Sequence, residues 1–316
     1  MKKSLVMIVI LALVGILAVS VFAAPKKLVI GFSQIGAESS WRTAETDSIK
    51  ATAAERGIDL KFSDAQGKQE NQIKAIRSFI AQRVMGIIIA PVVETGWEPV
   101  LTEAKKKHIP VVLVDRGIKV ADQSLYTTMI ASDFIYEGQK AAEYLGKKMG
   151  GKGNIVELEG TPGASAAIDR KKGFDEFVAK NFPNIKIIKS QTGNFTRADG
   201  KQVMEAFLKS DGNKIDAVYA HNDDMALGAI QAIEEYGKKP GSDIYLVSVD
   251  GVHDAFEAMV AGKLNCTVEC NPLLGPLAFD SIARAIMGEK LPKWIKQNDG
   301  VFPQEVAKDV LPTRKY

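Results

Sequence analysis

The stretch Val111-Val-Leu-Val-Asp-Arg116 decides the fold of this chain, because four apolar residues lead directly into two charged ones. Tyr245-Leu-Val-Ser-Val-Asp250 follows nearly the same pattern in the second half of the chain. Short Val-rich runs without polar alternation are typical of parallel strands that are buried on both faces. Each stretch therefore predicts an internal strand of an α/β sheet with a carboxylate at its end.

Similar apolar runs recur from residue 28 onward and alternate with longer amphipathic stretches. The expected strands cover 28–32, 60–62, 86–90, 111–114, 126–131, 155–158, 185–188, 217–220, 245–249 and 266–268. The expected helices cover 40–56, 69–83, 95–107, 136–149, 165–181, 198–210, 225–236 and 254–261. This repeated alternation of strand and helix predicts the α/β class.

The length of 316 residues favours two domains at about 150 residues per domain. One sheet of about ten parallel strands would be uncommonly wide. A TIM barrel, with eight strand-helix units in one domain, is the other alternative. Because each half of the chain holds about five strands, the sequence predicts two doubly wound parallel-sheet lobes.

The composition excludes several classes of protein. Hydrophobic residues make up 46% and charged residues 25%, which are globular values and exclude a disordered, collagenous or polytopic membrane protein. The chain has 41 basic and 38 acidic residues without a basic block, so we expect no nucleic-acid partner. Three His and two Cys are too few for a dense metal or disulfide framework.

The N-terminal segment has the pattern of a secretory signal peptide. Lys2 and Lys3 precede an apolar run over 5–22, and Ala23-Ala24-Pro25 provides small residues at its end. We expect cleavage after Ala23, so that residues 1–23 are removed and the mature protein is exported to the periplasm. An uncleaved anchor helix is the alternative, since the run is long enough to span a membrane.

Cys266 and Cys270 lie four residues apart. In an extended strand this spacing separates the two Cα atoms by about 13 Å, whereas a disulfide requires less than about 7 Å. The sequence therefore predicts two free cysteines unless the chain turns at this point. A zinc site at these two cysteines is a weak alternative, because no His lies nearby in sequence.

Polar side chains follow several expected strands, at the edge where open α/β sheets bind ligands. They are Ser33, Asp115, Arg116, Asn222 and Asp250, and Arg170 could supply a further compensating charge. Asp and Asn also end strands as caps and turn residues, so a purely structural role stays open for each. Together they predict a polar, nearly neutral cleft that suits a polyhydroxylated ligand, because carboxylates accept from hydroxyls and guanidinium groups donate to them.

Two aromatic residues lie at predicted strand-to-helix junctions, one in each half of the chain. Trp41 and Phe195 could clamp the flat C–H faces of a sugar, although packing within their own loops is the alternative. Trp97, near the start of an expected helix, is interpreted as a packing residue.

Motifs of enzymes and cofactor sites are largely missing from the sequence. It contains no G-x-G-x-x-G, no G-x-x-x-x-G-K-[ST] and no G-x-S-x-G. Its histidines, His108, His221 and His253, do not have metal-ligand spacing. We therefore expect neither a cofactor nor a metal. A secreted sugar-processing enzyme that uses the same cleft stays open as the alternative function.

Four motifs carry a resemblance to a known family. They are Asp115-Arg116, Gly163-Ala-Ser-Ala-Ala-Ile-Asp-Arg170, Ala220-His-Asn-Asp-Asp-Met-Ala-Leu-Gly-Ala229 and Val249-Asp250-Gly251. They resemble the type I periplasmic sugar-binding proteins of the ribose-binding-like group, over nearly the whole chain from residue 27. The resemblance implies a monomer with two lobes and a three-crossing hinge, which binds a monosaccharide and delivers it to a membrane ABC permease.

The resemblance also assigns lobes and ligand contacts. The N-terminal lobe would comprise 25–130 and 271–300, and the C-terminal lobe 131–270 and 301–316. The family's ligand-binding positions fall on residues of both lobes: Ser33, Trp41, Asp115, Arg116, Arg170, Phe195, Asn222 and Asp250. A transcriptional regulator of the same fold would need an N-terminal helix-turn-helix where this chain has its signal peptide.

A closer resemblance to galactofuranose-binding members of the family is carried by Gly31-Phe-Ser-Gln34, Ser40-Trp-Arg42, 68–75 and 90–100. The ribose pattern has Asn after the third strand, where this chain has Ala90-Pro91. It also has Gln near the last crossing, where this chain has Glu269 and Cys270. Glu38 and Arg42 add polar groups that could reach the exocyclic diol of a hexofuranose. The resemblance therefore implies galactofuranose rather than ribose as the ligand.

Overall fold

The computed structural model describes residues 27–316. The predicted signal peptide, 1–23, lies outside these residues. Within them the strands are β1 Val29–Gln34, β2 Asp59–Asp64, β3 Gly86–Ile89, β4 Val111–Val114, β5 Thr128–Ala131, β6 Lys152–Glu159, β7 Asn184–Thr192, β8 Ala217–Ala220, β9 Tyr245–Asp250, β10 Cys266–Glu269, β11 Trp294–Lys296 and β12 Val301–Pro303. The helices are α1 Ser40–Glu55, α2 Gln69–Ala81, α3 Glu98–Lys106, α4 Phe134–Lys148, α5 Ser165–Asn181, α6 Arg197–Asp211, α7 Asp223–Glu235, α8 His253–Val260, α9 Gly275–Ile286 and α10 Ala307–Val310.

The strands form two separate six-stranded sheets. The first has the order β11-β5-β4-β3-β1-β2 and the second β12-β10-β9-β8-β6-β7. All strand pairs are parallel except β10 with β12, which is antiparallel. The predicted pair of doubly wound parallel sheets is confirmed, and the TIM barrel is excluded.

The chain crosses between the two sheets three times. It leaves the first sheet after β5, returns to it after β10, and crosses again between β11 and β12. The helix after the first crossing, α4, packs against α5 and the second sheet, whereas α9 packs against α1 and the first sheet. These crossings form the predicted three-crossing hinge.

The central strands of both sheets are covered on both faces by helices. Every residue of β3, β4 and β8 is buried, which is why these strands are apolar throughout rather than alternating. The long apolar side chains that fill this core include Phe32, Phe174 and Phe256, each fully buried. Trp97 is 1% exposed and donates from Nε1 to the carbonyl of Val93, so it is a packing residue as predicted.

The sequence interpretation missed the last two helices, α9 and the four-residue α10, and both short final strands. Helix α9 begins with Gly275-Pro276, which suggests a loop, but Pro is tolerated in the first turn of a helix because its missing N–H has no partner there. Strands β11 and β12 have only three residues each and pair at the sheet edges, so their own sequences carry little signal.

Both cysteines are free and buried, Cys266 within β10 and Cys270 directly after it. The strand is continuous between them, in agreement with the predicted lack of a disulfide. No helix in the described part of the chain is long and apolar enough to cross a membrane.

Candidate functional site

The carboxyl ends of strands from both sheets converge on a cavity of about 280 Å³. Nine of the ten predicted site residues line it: Glu38, Trp41, Arg42, Asp115, Arg116, Arg170, Phe195, Asn222 and Asp250. Ser39, Ala166 and Cys270 complete the lining. The cavity is small and suits a small ligand.

Ser33 is the one predicted residue that does not line the cavity, and its Oγ is buried without a hydrogen-bond partner. Strand β1 continues through Gln34, so Ser33 is an interior strand residue with no exposed surface. The loop that reaches the cavity starts after Gln34. The side-chain amide of Gln34 donates to Glu45 Oε2 (2.9 Å). The sequence interpretation had ended the strand too early.

Arg42 joins three carboxylates on the first-sheet side of the cavity. Its guanidinium donates to Glu38 Oε1 (3.0 Å), Glu45 Oε2 (2.5 Å) and Asp115 Oδ2 (2.5 Å). Arg42 is 2% exposed, and such buried charges are tolerated only when they are paired and hydrogen-bonded. Burial raises the pKa of Glu45 to about 7, while Arg42 opposes this rise.

Arg116 is held more loosely than Arg42. Its guanidinium lies 3.5 Å from Asp115 Oδ2 and 3.7 Å from Glu38 Oε1, and it donates to the carbonyl of Val92 (3.2 Å). Its Nε is buried without a hydrogen-bond partner, and its guanidinium carbon lies 5.1 Å from the centre of the Phe195 ring. Arg116 therefore retains a free donor in the cavity wall.

Arg170 organises the second-sheet side of the cavity. It donates to Glu137 Oε2 (2.7 Å) and to the carbonyl of His221 (2.7 Å), and it lies 3.4 Å from Asp250 Oδ1. Burial raises the pKa of Glu137 to about 7 and the pKa of Asp250 well above its usual range, although Arg170 lowers both. The cavity thus offers both carboxyl and guanidinium groups with little net charge.

Two aromatic side chains line the cavity from opposite halves of the protein. Trp41 lies in the first turn of α1, and its Nε1 donates to the carbonyl of Cys270 after β10 (2.5 Å). Phe195 precedes α6 and packs close to Gly160, where an added Cβ would lie 1.9 Å from the ring. Trp41 and Phe195 therefore present apolar surfaces to the same space, as the clamp hypothesis expects.

Asn222 has the structural role that the sequence analysis left open. Its Oδ1 caps α7 by accepting from the backbone N–H of Met225 (3.0 Å), and its Nδ2 donates to the carbonyl of Phe195 (3.1 Å). Its side chain also lines the cavity. The capping role and a role at the ligand site are therefore compatible, because each amide atom retains further hydrogen-bonding capacity.

Sequence reasoning missed Glu45 and Glu137, the two fully buried carboxylates behind Arg42 and Arg170. Acidic residues within helices usually face solvent, so neither position carries a local signal. The described residues also include an exposed group, His253, Asp254 and Glu257, that could hold a metal ion. It does not line the cavity, and Asp254 already pairs with Arg197 (2.9 Å).

A family model described as a periplasmic binding protein domain matches residues 30–290. The chain belongs to the periplasmic binding protein family. Among curated members of the family, the galactofuranose-binding protein YtfQ of Escherichia coli is 53% identical over 302 residues, which cover 94% of this chain and 95% of that protein.

Solved structures of family members agree with this assignment. The binding component of the arabinose ABC transporter from Shewanella, bound to arabinofuranose, is 58% identical with a TM-score of 0.88, covering 91% of this chain and 95% of that one. A Mycobacterium smegmatis structure in complex with β-D-fucofuranose is 54% identical with a TM-score of 0.89, covering 92% and 95%. These family members share the two-sheet fold that surrounds the cavity described here.

Proposed function

We propose that this protein is the exported sugar-binding component of an ABC importer and that it binds a furanose, with galactofuranose as the principal candidate. The observation that carries the proposal is the small cavity between the sheets, with guanidinium and carboxyl groups around two aromatic side chains. Relatives above 50% identity include a galactofuranose-binding protein and structures in complex with arabinofuranose and fucofuranose, which supports the choice of a furanose.

The cavity chemistry fits a neutral polyol better than an ion. Three buried arginines face carboxylates from both halves, so a charged ligand would meet groups of both signs. A carboxylate accepts hydrogen bonds from adjacent hydroxyls, while a guanidinium donates to neighbouring oxygens. The ring carbons of a sugar would pack on Trp41 and Phe195.

Binding without chemistry is favoured over the sugar-processing enzyme. A curated relative of 53% identity is named as a binding protein, and the solved relatives include a transporter component. Within the cavity, Asp115 and Asp250 are already directed at Arg42 and Arg170. Carboxylates paired in this way hold a ligand in place instead of being positioned as a free acid and base.

We propose that the two sheets with their helices are lobes that close on the sugar. The lobes would comprise 25–130 with 271–300, and 131–270 with 301–316. Direct contacts across the cleft, from Trp41 Nε1 to the Cys270 carbonyl and from Ser40 to Asp224, are those of a closed form. Closure by a hinge buries the ligand against groups from both halves.

Glu38 and Arg42 are proposed to select a hexofuranose through its exocyclic diol. Glu38 Oε1 accepts from Arg42, whereas Glu38 Oε2 is buried without a partner and can accept from a hydroxyl. Because Arg42 and Arg116 outweigh the effect of burial, the pKa of Glu38 lies below its usual range. An ionised carboxylate with a free oxygen is a strong acceptor for a diol.

The remaining parts of the proposal concern export and partners. We propose that residues 1–23 are removed during export, that the mature protein acts as a monomer in the periplasm, and that it delivers its sugar to a membrane ABC permease. No nucleic acid takes part. The family assignment over residues 30–290 supports this location and partner.

The proposal is tested by a binding panel on protein that has been unfolded and refolded to remove co-purified ligand. Thermal unfolding is measured with galactofuranose, arabinofuranose, galactose, glucose and ribose. A ligand at about 100 times its dissociation constant stabilises the fold by about 2.7 kcal/mol. Stabilisation by galactofuranose at the lowest concentration is expected. A stronger effect of arabinofuranose would change the assigned furanose, and no effect of any sugar would reject the proposal.

A further inference from the structure

A second space, shared by both halves of the protein, lies directly beside the sugar cavity. This outer cleft has about 980 Å³ of free space and is open to solvent. On the first-sheet side it is lined by the loops after β1 and β2, including Ala37 and Gln66, and on the opposite side by Thr161 and Asn194. Glu38 and Arg116 line both the cavity and the outer cleft, so they form the wall between them.

This wall has unsatisfied hydrogen-bonding atoms. Glu38 Oε2 and Arg116 Nε are both buried and have no hydrogen-bond partner. The Glu38–Arg116 pair is separated by 3.7 Å, whereas Arg42 lies 3.0 Å from the same carboxylate oxygen. Buried polar atoms normally find a partner. One acceptor and one donor are therefore free at the boundary between the two spaces.

The outer cleft combines apolar, neutral polar and charged surface, and its charged residues are Asp64 and the two wall residues Glu38 and Arg116. Ile35, Ala37 and Val92 contribute the apolar part, and Gln66, Thr161 and Asn194 are hydrogen-bonding side chains. Its chemistry therefore resembles that of a carbohydrate subsite more than that of a site for an anion.

The loop beside the wall leaves room for a ligand. An added Cβ at Gly36 would lie 3.4 Å from Glu38 Oε2 and 3.9 Å from Asp64 Oδ1. Residue 36 therefore adds no side chain between the outer cleft and the buried oxygen of Glu38. A ligand reaches this oxygen only after a small shift of the wall.

We propose that the protein also binds furanosides, with the furanose ring in the cavity and the glycosidic substituent in the outer cleft. The substituent would lie beyond the wall of Glu38 and Arg116, and these two side chains have to separate from their distance of 3.7 Å to admit the glycosidic oxygen. This inference rests on the proposed sugar-binding function. It extends the ligand class from free monosaccharides to furanosyl glycosides, including short furanosyl disaccharides.

The test is isothermal titration calorimetry on ligand-free protein with galactofuranose, methyl β-D-galactofuranoside and a β-D-galactofuranosyl disaccharide. We expect both glycosides to bind within about tenfold of the free sugar. The variant Ala37→Trp fills the outer cleft at an exposed position that does not line the cavity. This variant should weaken the affinity for the disaccharide at least tenfold and change the affinity for the free sugar less than twofold.

Two further variants keep the test decisive. Thr161→Trp fills the same cleft from the opposite side and should reproduce the effect of Ala37→Trp. Ala121→Trp adds the same bulk at an exposed position outside both spaces and should leave the affinities for both ligands unchanged.

The contrary outcomes separate this inference from the proposed function. Free sugar that binds while both glycosides bind at least 100-fold more weakly would reject the outer cleft as a subsite and leave the function intact. Equal weakening of free sugar and disaccharide by Ala37→Trp would also reject it. Failure of all three probes on the wild-type protein would reject the proposed function together with the subsite.

Discussion

At the scale of single residues, three side chains of the cavity lie on backbone that L-residues rarely adopt. The φ angles are 62° at Asp115, 64° at Phe195 and 127° at Asp250. Each such residue costs about 1–3 kcal/mol and persists only where its surroundings fix it. The strained residues follow β4, β7 and β9, so the strain coincides with the candidate ligand site.

Replacing Asp115 is expected to weaken sugar binding strongly. Asp115→Ala removes one carboxylate from Arg42 and leaves buried donors unpaired, which should reduce affinity by about 2–4 kcal/mol. Asp115→Asn is the matched control, because Asn keeps the shape and tolerates positive φ. Calorimetry should show the highest sugar affinity for the wild type, a lower one for Asp115→Asn and the lowest for Asp115→Ala. Wild-type affinity in the Ala variant would contradict the site assignment.

Replacing Asp250 separates backbone strain from ligand binding. Gly accepts positive φ without strain, so Asp250→Gly should be more stable than Asp250→Ala by about 1 kcal/mol, the reverse of the usual order. Both variants should lose sugar affinity, since both lack the carboxylate. Urea unfolding of the ligand-free variants measures the stability difference. An Ala variant that is the more stable of the two would show that no strain is stored there.

At the scale of elements, the N-terminus of α1 is completed by a residue from the opposite half of the protein. Asp224, in the first turn of α7, accepts from the backbone N–H (2.8 Å) and the hydroxyl (2.7 Å) of Ser40 through one oxygen. Its other oxygen accepts from Arg197 (3.1 Å). A carboxylate at a helix N-terminus is stabilising, because the first N–H groups lack partners within the helix.

In the proposed closing of the two lobes this contact forms only in the closed state, so it should raise the affinity for every ligand equally. Ser40→Ala is expected to weaken the affinity for each sugar by roughly fivefold, which corresponds to the loss of a hydrogen bond with a net contribution of about 1 kcal/mol. The stability of the ligand-free protein and the ranking of sugars should not change. Thr43→Ala, at an exposed position on the same helix, is the control. A change in the ranking of sugars would indicate direct ligand contact instead.

At the scale of the whole molecule, buried carboxyl groups determine how stability depends on pH. Burial raises the pKa of Glu45 and Glu137 to about 7 and that of Asp223 to about 6, above their usual values near 4. Between pH 4.5 and 7 the folded state therefore binds more protons than the unfolded state. The free energy of unfolding should fall as pH rises through this window.

The expected result is a higher free energy of unfolding at pH 5.0 than at pH 7.5, measured by urea titration of ligand-free protein. Glu137→Gln should reduce this difference, because Gln does not titrate. Glu143→Gln lies on the same helix and is the control, since its pairs with Lys140 and Lys147 lower its pKa to about 2, below the window. Stability that rises from pH 5.0 to 7.5 would contradict the burial argument.

Local sequence was sufficient for the order and type of most elements and for the positions of the cavity residues. Apolar runs such as Val111–Val114 are visible in the sequence because a strand buried on both faces has no polar alternation. The place of Asp115, Arg116 and Asp250 then follows, because parallel strands bring their carboxyl ends to one edge. The exact end of β1 did not follow, since the strand runs to Gln34 and includes Ser33.

The sequence by itself therefore determined two α/β sheets, their family resemblance, and nine of the twelve residues that line the cavity. Only the tertiary structure decided which carboxylates pair with which arginines. Glu45 and Glu137 look like ordinary helix-surface residues until packing encloses them against Arg42 and Arg170. Arg42 and Glu45 lie three residues apart on α1, and Glu137 and Arg170 lie on the adjacent helices α4 and α5. The sequence does not show that these groups are buried, because burial depends on how the helices pack.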